Sequence, residues 1–175
     1  FALLGPHCIM SRGLAAENTQ ARCRMVVLMA LSNAHGWMMV NTGNKSEAMM
    51  GYSTLYGDTA GAFAPIGGLY KTDVFAMSRW LNEKAQAEGR TAPIPEHVLI
   101  KPPSAELAPD QRDEDTVGSY AELDRLLVDY AEHGMGREEL VAAGYDAVEV
   151  ERVTSRVGAS AFKRALEPPF VPIRY

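Results

Sequence analysis

Cysteine is scarce in this sequence: there are two in 175 residues, Cys8 and Cys23, and they form no C-x-x-C spacing. That leaves no zinc ribbon and no dithiol redox motif, and two reduced thiols in a cytoplasmic protein are expected. Long hydrophobic runs are also missing. No apolar stretch approaches the roughly 20 residues that span a bilayer, so no membrane segment is expected. The first ten residues lack the basic n-region of a secretory signal. Positive charge is short: the net charge is −5, and Lys and Arg are scattered. Such a chain offers no footprint for nucleic acid and no polybasic segment for an anionic membrane surface. The histidines at 7, 35, 97 and 133 are too dispersed to suggest a zinc site or a nucleophilic triad. The G-x-x-x-x-G-K-[ST] phosphate loop is absent. A small anionic ligand stays open, because a few local cations and backbone N–H groups can hold a phosphate on an acidic protein.

What is present is an ordinary globular composition, 47% apolar and 22% charged, long enough for one domain with a sizeable core. Phe1 is not a start methionine, so the reading frame is expected to begin elsewhere. Ala15 to Asn33 has helical periodicity, with Ala21, Met25, Leu28 and Met29 on one face and Asn33 and Gly36 as stop signals. Gly36 to Asn41 (GWMMVN) reads as a short strand apolar on both faces, which belongs inside a sheet covered by helices. Thr42 to Glu47 reads as a loop entering a short helix, capped by Asn44 or Ser46. Gly51 to Gly68 is a long irregular loop, and its Tyr52, Tyr56 and Phe63 argue against disorder. Lys71 to Glu88 predicts an amphipathic helix. Thr91 to Pro109 carries five prolines and reads as extended loop, with a short strand at His97 to Ile100. Helices are expected at Tyr120 to Glu132, Gly136 to Ala143 and Asp146 to Val157, the last two paired across Gly144. A lone central strand cannot satisfy its own backbone groups. The chain therefore reads as part of a larger α/β domain.

Chemistry concentrates in TGNKSEAMMGYSTLYGD, from Thr42 to Asp58. It follows the expected strand, and ligands bind at the carboxyl ends of strands in open α/β sheets. Thr42 offers a hydroxyl, Gly43 close backbone approach, Lys45 a cation and Glu47 a carboxylate suited to Mg²⁺. A Thr/Gly turn opening a helix can also present N–H groups to a nucleotide. The bland alternative is a capped helix start with a surface Lys–Glu pair. In NTQARCRM, Arg22 and Arg24 do not share a helix face, so one can reach a ligand and the other a carboxylate. In KPPSAELAPDQ the Pro-Pro pair fixes Ser104, and the acidic run after it can face a metal or a cationic helix. AFKR near the C-terminus is by default a solvated basic turn.

The order and spacing of these segments, NTQARCRM, TGNKSE with GYSTLYGD, KPPSAEL and AFKR, resemble glutamine-dependent NAD synthetases from Asn18 to Arg164. The resemblance implies a Rossmann-like adenine-nucleotide α-hydrolase fold of the ATP-pyrophosphatase family, truncated in its N-terminal half and helix-rich at the C-terminus. Residues 1–13 would be an atypical segment and 14–175 the C-terminal part of the synthetase domain. It also implies ATP-dependent amidation of deamido-NAD, with Mg²⁺, ammonia from a glutaminase domain and a homo-oligomeric enzyme. By that resemblance Thr42, Lys71 and Ser104 contact ATP. Arg22, Glu47, Tyr52, Tyr56, Asp58 and Lys163 line the deamido-NAD site, and Glu47 also holds Mg²⁺.

Three departures accompany the match. The family's SGGxDS phosphate loop is expected upstream of Asn18, where FALLGPHCIMSRGLAAE is unlike it, so the isolated chain is expected to be inactive. The glutaminase domain that would supply ammonia is likewise expected upstream of this segment. Phe162 stands where ammonia-dependent relatives have a histidine before the lysine. A non-catalytic module that pairs with an intact synthetase is the competing reading. Another ATP-pyrophosphatase enzyme, such as a GMP-synthetase-like amidotransferase, is a third.

Overall fold

A computed structural model describes residues 13–108, 110–173 and 175. Cys8, His7 and most of the segment expected to be atypical lie outside them. The described residues fold mainly as helices: α1 (Gly13–His35), α2 (Lys45–Met50), α3 (Lys71–Ala87), α4 (Glu96–Ile100), α5 (Glu114–Val117), α6 (Tyr120–Leu127), α7 (Arg137–Ala142), α8 (Ala147–Ala159) and α9 (Ala161–Arg164). Helix α6 runs on into one wider π turn, Val128–Glu132.

The core is built by the C-terminal helices and α2. Tyr120, Leu123, Leu126 and Leu127 of α6 meet Leu140 of α7, Val150, Val153 and Val157 of α8, and Met50 of α2. These positions recur at helical spacing, so each helix buries one stripe. The paired helices expected across Gly144 form as read, and that glycine takes φ +101° in the turn.

Two sequence readings are corrected. Gly36 to Asn41 does not form a strand with buried faces. Only Val40 makes a bridge, parallel to Phe63, and the next bridge joins Ala64 to Phe170. Trp37, Met38 and Val40 are exposed. The apolar pattern was real, but among the described residues too little sheet exists to cover it. The same holds for α1, where Ala21 is buried while Leu28 and Met29 are exposed. His97 to Ile100 belongs to a helical turn, α4, instead of a strand. Pro95 precedes it at φ −59°, a value preset for entering a helix.

Candidate functional site

Asn44 starts α2 with a capping box: its side chain accepts from the Glu47 N–H, and the Asn44 N–H donates to Glu47 Oε2 at 3.1 Å. Gly43 N–H donates to Asn41 Oδ1 and Lys45 N–H to the Leu69 carbonyl. The amides of Gly43, Asn44, Lys45 and Glu47 are therefore already used within the protein and are not free to cradle an anion. The capping box fixes the direction of the Glu47 side chain.

Glu47 Oε1 accepts from Lys71 Nζ at 2.8 Å. Lys71 opens α3, and its backbone N–H donates to Ser46 Oγ at 2.8 Å. Its ammonium lies 4.0 Å from Asp113 Oδ2 and over the Tyr120 ring. Asp113 is almost wholly buried; its Oδ2 accepts from the Tyr120 hydroxyl, and its carboxylate faces the buried Tyr52 hydroxyl. Asp113 N–H donates to the Pro103 carbonyl, which draws the acidic run against the Pro-Pro segment carrying Ser104.

These groups line a cavity of about 310 Å³ that brings together Thr42, Glu47, Tyr52, Asp58, Lys71 and Ser104. An adjoining cavity of about 300 Å³ shares Tyr52, Ser53 and Asp58 with it and adds Lys163, Arg156 and Gln111. Arg22 and Tyr56 lie outside both. Arg22 donates to the Leu55 carbonyl and so braces the loop, and Tyr56 is exposed at φ +60°. Arg24 meets the Glu106 backbone carbonyl, not a carboxylate. Lys45 turns away from the cavity to pair with Glu132 over the Tyr70 and Tyr175 rings, so the TGNK lysine offers no cation here.

Lys163 is not a solvated basic residue. Its ammonium donates to the carbonyls of Gly51 and Ser53, while Arg156 and Arg164 reach those of Met50 and Met49. Three cations thus satisfy the C-terminal carbonyls of α2. Burial, and then the nearby Arg156, lower the Lys163 pKa, with Asp58 opposing. Asp58 accepts from the Thr54 N–H and lines both cavities; crowding by protein raises its pKa above the ordinary carboxylate value. The Tyr52 phenol is held protonated by burial and by the Asp113 charge.

Two residues of this site escaped the sequence reading. Asp113 was visible only as part of an acidic run. Glu167 gave no signal, because its place depends on the tail folding back, with Ala64 N–H donating to the Pro169 carbonyl. Burial chiefly, then the charges of Glu47 and Asp58, push the Glu167 carboxyl up to about 7, against Arg164. With Glu47, Asp58 and Asp113 it makes the larger cavity rich in carboxylates, and Lys71 is the basic residue on its wall. Among the described residues no ready-made cluster of three metal-ligating side chains exists.

A family model described as NAD synthase matches residues 6–167. The glutamine-dependent NAD(+) synthetase of Thermotoga maritima is 46% identical over 151 residues, 86% of this chain and 26% of that protein. The chain belongs to the NAD synthase family. It spans about a quarter of the length of the curated relatives it matches. Among solved structures, an NMN synthetase from Francisella tularensis superposes with TM-score 0.71 at 28% identity, covering 98% of this chain and 61% of that one. A glutamine-dependent NAD⁺ synthetase from Acinetobacter baumannii, in complex with adenosine diphosphate, is 34% identical with TM-score 0.51, covering 99% and 30%. The family match includes the whole Asn18 to Arg164 stretch that carried the resemblance. The structural likeness agrees with the expected fold family, although among the described residues this chain is helix-rich and its extended segments are few. No described helix is long and apolar enough to cross a membrane.

Proposed function

We propose that the protein carrying this chain amidates deamido-NAD to NAD at the expense of ATP, with ammonia derived from glutamine. The observation that carries this reading is the pair of adjoining cavities, one lined by Thr42, Glu47, Lys71 and Ser104 and the other by Lys163, with Tyr52, Ser53 and Asp58 between them. Two nucleotides that must react with each other need two chambers with a common wall. The likeness to a synthetase holding adenosine diphosphate supports nucleotide binding in one of them.

The reaction has two steps. An oxygen of the nicotinate carboxylate attacks the α-phosphorus of ATP, and pyrophosphate leaves. Ammonia then attacks the acyl carbon, AMP leaves with the bonding pair, and the nitrogen loses a proton. Lys71 would release Glu47 to neutralise phosphate oxygens, Thr42 and Ser104 would donate to the same nucleotide, and Lys163 would face deamido-NAD. Tyr52 and Asp58 would shape the passage between the chambers; Arg22 and Tyr56 would act through the loop they brace or cap. Mg²⁺ would screen the phosphate charge that develops in the first step. The donor set fits such a hard cation: Glu47 and Asp113 offer carboxylate oxygens, and the cavity lining contains neither cysteine nor histidine. We expect a cytoplasmic homo-oligomer.

The test is product formation by the protein carrying this chain, given ATP, Mg²⁺, glutamine or ammonia, and in turn deamido-NAD, nicotinate mononucleotide and xanthosine monophosphate. NAD with AMP and pyrophosphate is the expected set. NMN alone would move the assignment toward the Francisella relative, and GMP toward another amidotransferase. A second reading, a non-catalytic module that pairs with an intact synthetase, is favoured by the exposed apolar edge at Trp37, Met38 and Val40. It predicts no product, and altered activity of an intact synthetase on mixing.

A further inference from the structure

Lys71 stands on the wall of the larger cavity as the first residue of α3, so its reach depends on how that helix start is held. A helix start leaves amides without partners inside the helix. Here the Lys71 N–H donates to Ser46 Oγ and the Thr72 N–H to Asp124 Oδ2. The preceding residue, Tyr70, is buried and caps nothing with its side chain; its own N–H donates to the Tyr175 hydroxyl at 3.3 Å. That hydroxyl donates in turn to the Gly68 carbonyl at 3.2 Å, so one oxygen closes the turn from Gly68 to Tyr70. The rings of Tyr70 and Tyr175 meet edge to face with centroids 4.9 Å apart, and the Lys45 ammonium lies over both.

The chain that brings Tyr175 to this point is closely packed. Ala64 N–H donates to the Pro169 carbonyl, and Ala64 bridges to Phe170. A Cβ at Gly67 would come within 2.9 Å of Phe170 Cβ, and one at Gly68 within 2.2 Å of the Val171 carbonyl oxygen. Two successive glycines thus let Phe170 and Val171 lie against the segment that leads into α3. Neither Phe170 nor Tyr175 lines the two cavities used by the proposed function.

We propose that Tyr175 is a positioning residue for Lys71: by bridging the Gly68 carbonyl and the Tyr70 N–H it fixes the first turn of α3, so that the Lys71 ammonium meets the phosphates of a nucleotide from the cavity wall. The inference rests on the nucleotide-site reading above, and it goes beyond that reading by assigning a residue that touches no substrate. Losing one such hydrogen bond weakens what depends on it by about fivefold. The loss should fall on ATP alone, because Lys163 in the second cavity is held by the carbonyls of Gly51 and Ser53 and not by α3.

The test is Tyr175→Phe in the full protein carrying this chain, which removes the hydroxyl and keeps the ring. ATP affinity by calorimetry should fall about fivefold and the KM for ATP should rise with it, while kcat and the KM for deamido-NAD hold. A merely structural role would lower kcat without dividing the two KM values. In a Lys71→Met background the same substitution should cost no further ATP affinity. Unchanged ATP affinity in Tyr175→Phe, or an equal loss in the Lys71→Met background, overturns the assignment. Circular dichroism melts report whether each variant folds. If Tyr175→Phe does not, Gly68→Ala decides, because its methyl displaces the same segment at Val171. It should weaken ATP and spare deamido-NAD, and unchanged ATP affinity overturns the proposal. A parent protein that binds no ATP and forms no NAD defeats the nucleotide reading by itself. Hydrogen exchange then decides the positioning role: faster exchange of the Tyr70 and Lys71 amides in Tyr175→Phe supports it, and equal rates overturn it.

Discussion

Ser46 and Asp124 share a buried hydrogen bond of 2.5 Å that fastens α2, the helix bearing Glu47, to α6. The other carboxylate oxygen of Asp124 accepts from the backbone N–H and the hydroxyl of Thr72, both at 2.9 Å, while Ser46 Oγ accepts from the Lys71 N–H. One side chain of α6 therefore sets the start of α3 and its distance from α2. Asp124→Ala should lower the unfolding free energy by about 3 kcal/mol, the scale for buried hydrogen bonds to a charged group. Urea unfolding checks the figure, and a loss below about 1 kcal/mol would mean the network is dispensable.

Much of the site was legible because its residues act locally. Asn44 and Glu47 are three apart at a helix start, and Lys71 opens a strongly periodic helix, so spacing puts them at helix starts, while it was the resemblance that singled out Glu47 and Lys71 as site residues. Gly136 to Val157 was read correctly for the same reason. What failed depended on residues far away in the chain. The GWMMVN run has a strand's composition, but a strand is made by its neighbours, and here Val40 has only Phe63. Residues 97–100 are too few for periodicity to separate strand from helix. Lys45 looked like a ligand group until Glu132 and two tyrosines claimed it.

Gly51 ends α2 at φ +60°, and a Cβ placed there would lie 2.3 Å from Ser160 Oγ and 2.6 Å from Ser160 Cβ. Two costs combine in Gly51→Ala, the left-handed backbone and the collision with the α8–α9 junction. Together they should remove about 2–4 kcal/mol of stability. Ser160→Gly clears the collision but not the backbone strain. A double-mutant cycle should therefore show Gly51→Ala costing less in the Ser160→Gly background. Equal costs in both backgrounds would show that the packing at Ser160 relaxes freely.

Helix α1 leaves Val26, Val27, Leu28 and Leu31 exposed, and Trp37, Met38 and Val40 follow directly in the chain. Single exposed apolar residues are ordinary, but a continuous run of this kind is an association surface. The isolated chain should therefore be marginally stable and self-associate with rising concentration in sedimentation velocity. Leu28→Glu together with Leu31→Lys should shift the distribution toward monomer. A parent chain that stays monomeric and melts cooperatively when dilute would rule this out.

Glu167 makes the cavity sensitive to pH. Its carboxyl is raised from an ordinary 4.5 to about 7 by burial and by Glu47 and Asp58, with Arg164 opposing. The folded state thus holds a proton that the unfolded chain releases at lower pH. The stabilising effect is fully present below about 4.5 and is lost as pH rises through about 7. Glu167→Gln keeps the neutral form at every pH. Its melting temperature should match the parent's at pH 4.5 and exceed it at pH 8, the gap opening between those values. Other titrating groups are common to both proteins and cancel in the difference. The same proton should govern ligand binding, because a neutral Glu167 leaves the cavity one charge less negative for a polyanion. Parent protein should then hold ATP more tightly at pH 6 than at pH 8, and Glu167→Gln should show the smaller change. A melting difference that stays flat with pH would place the Glu167 carboxylate in open solvent and remove the basis for both effects.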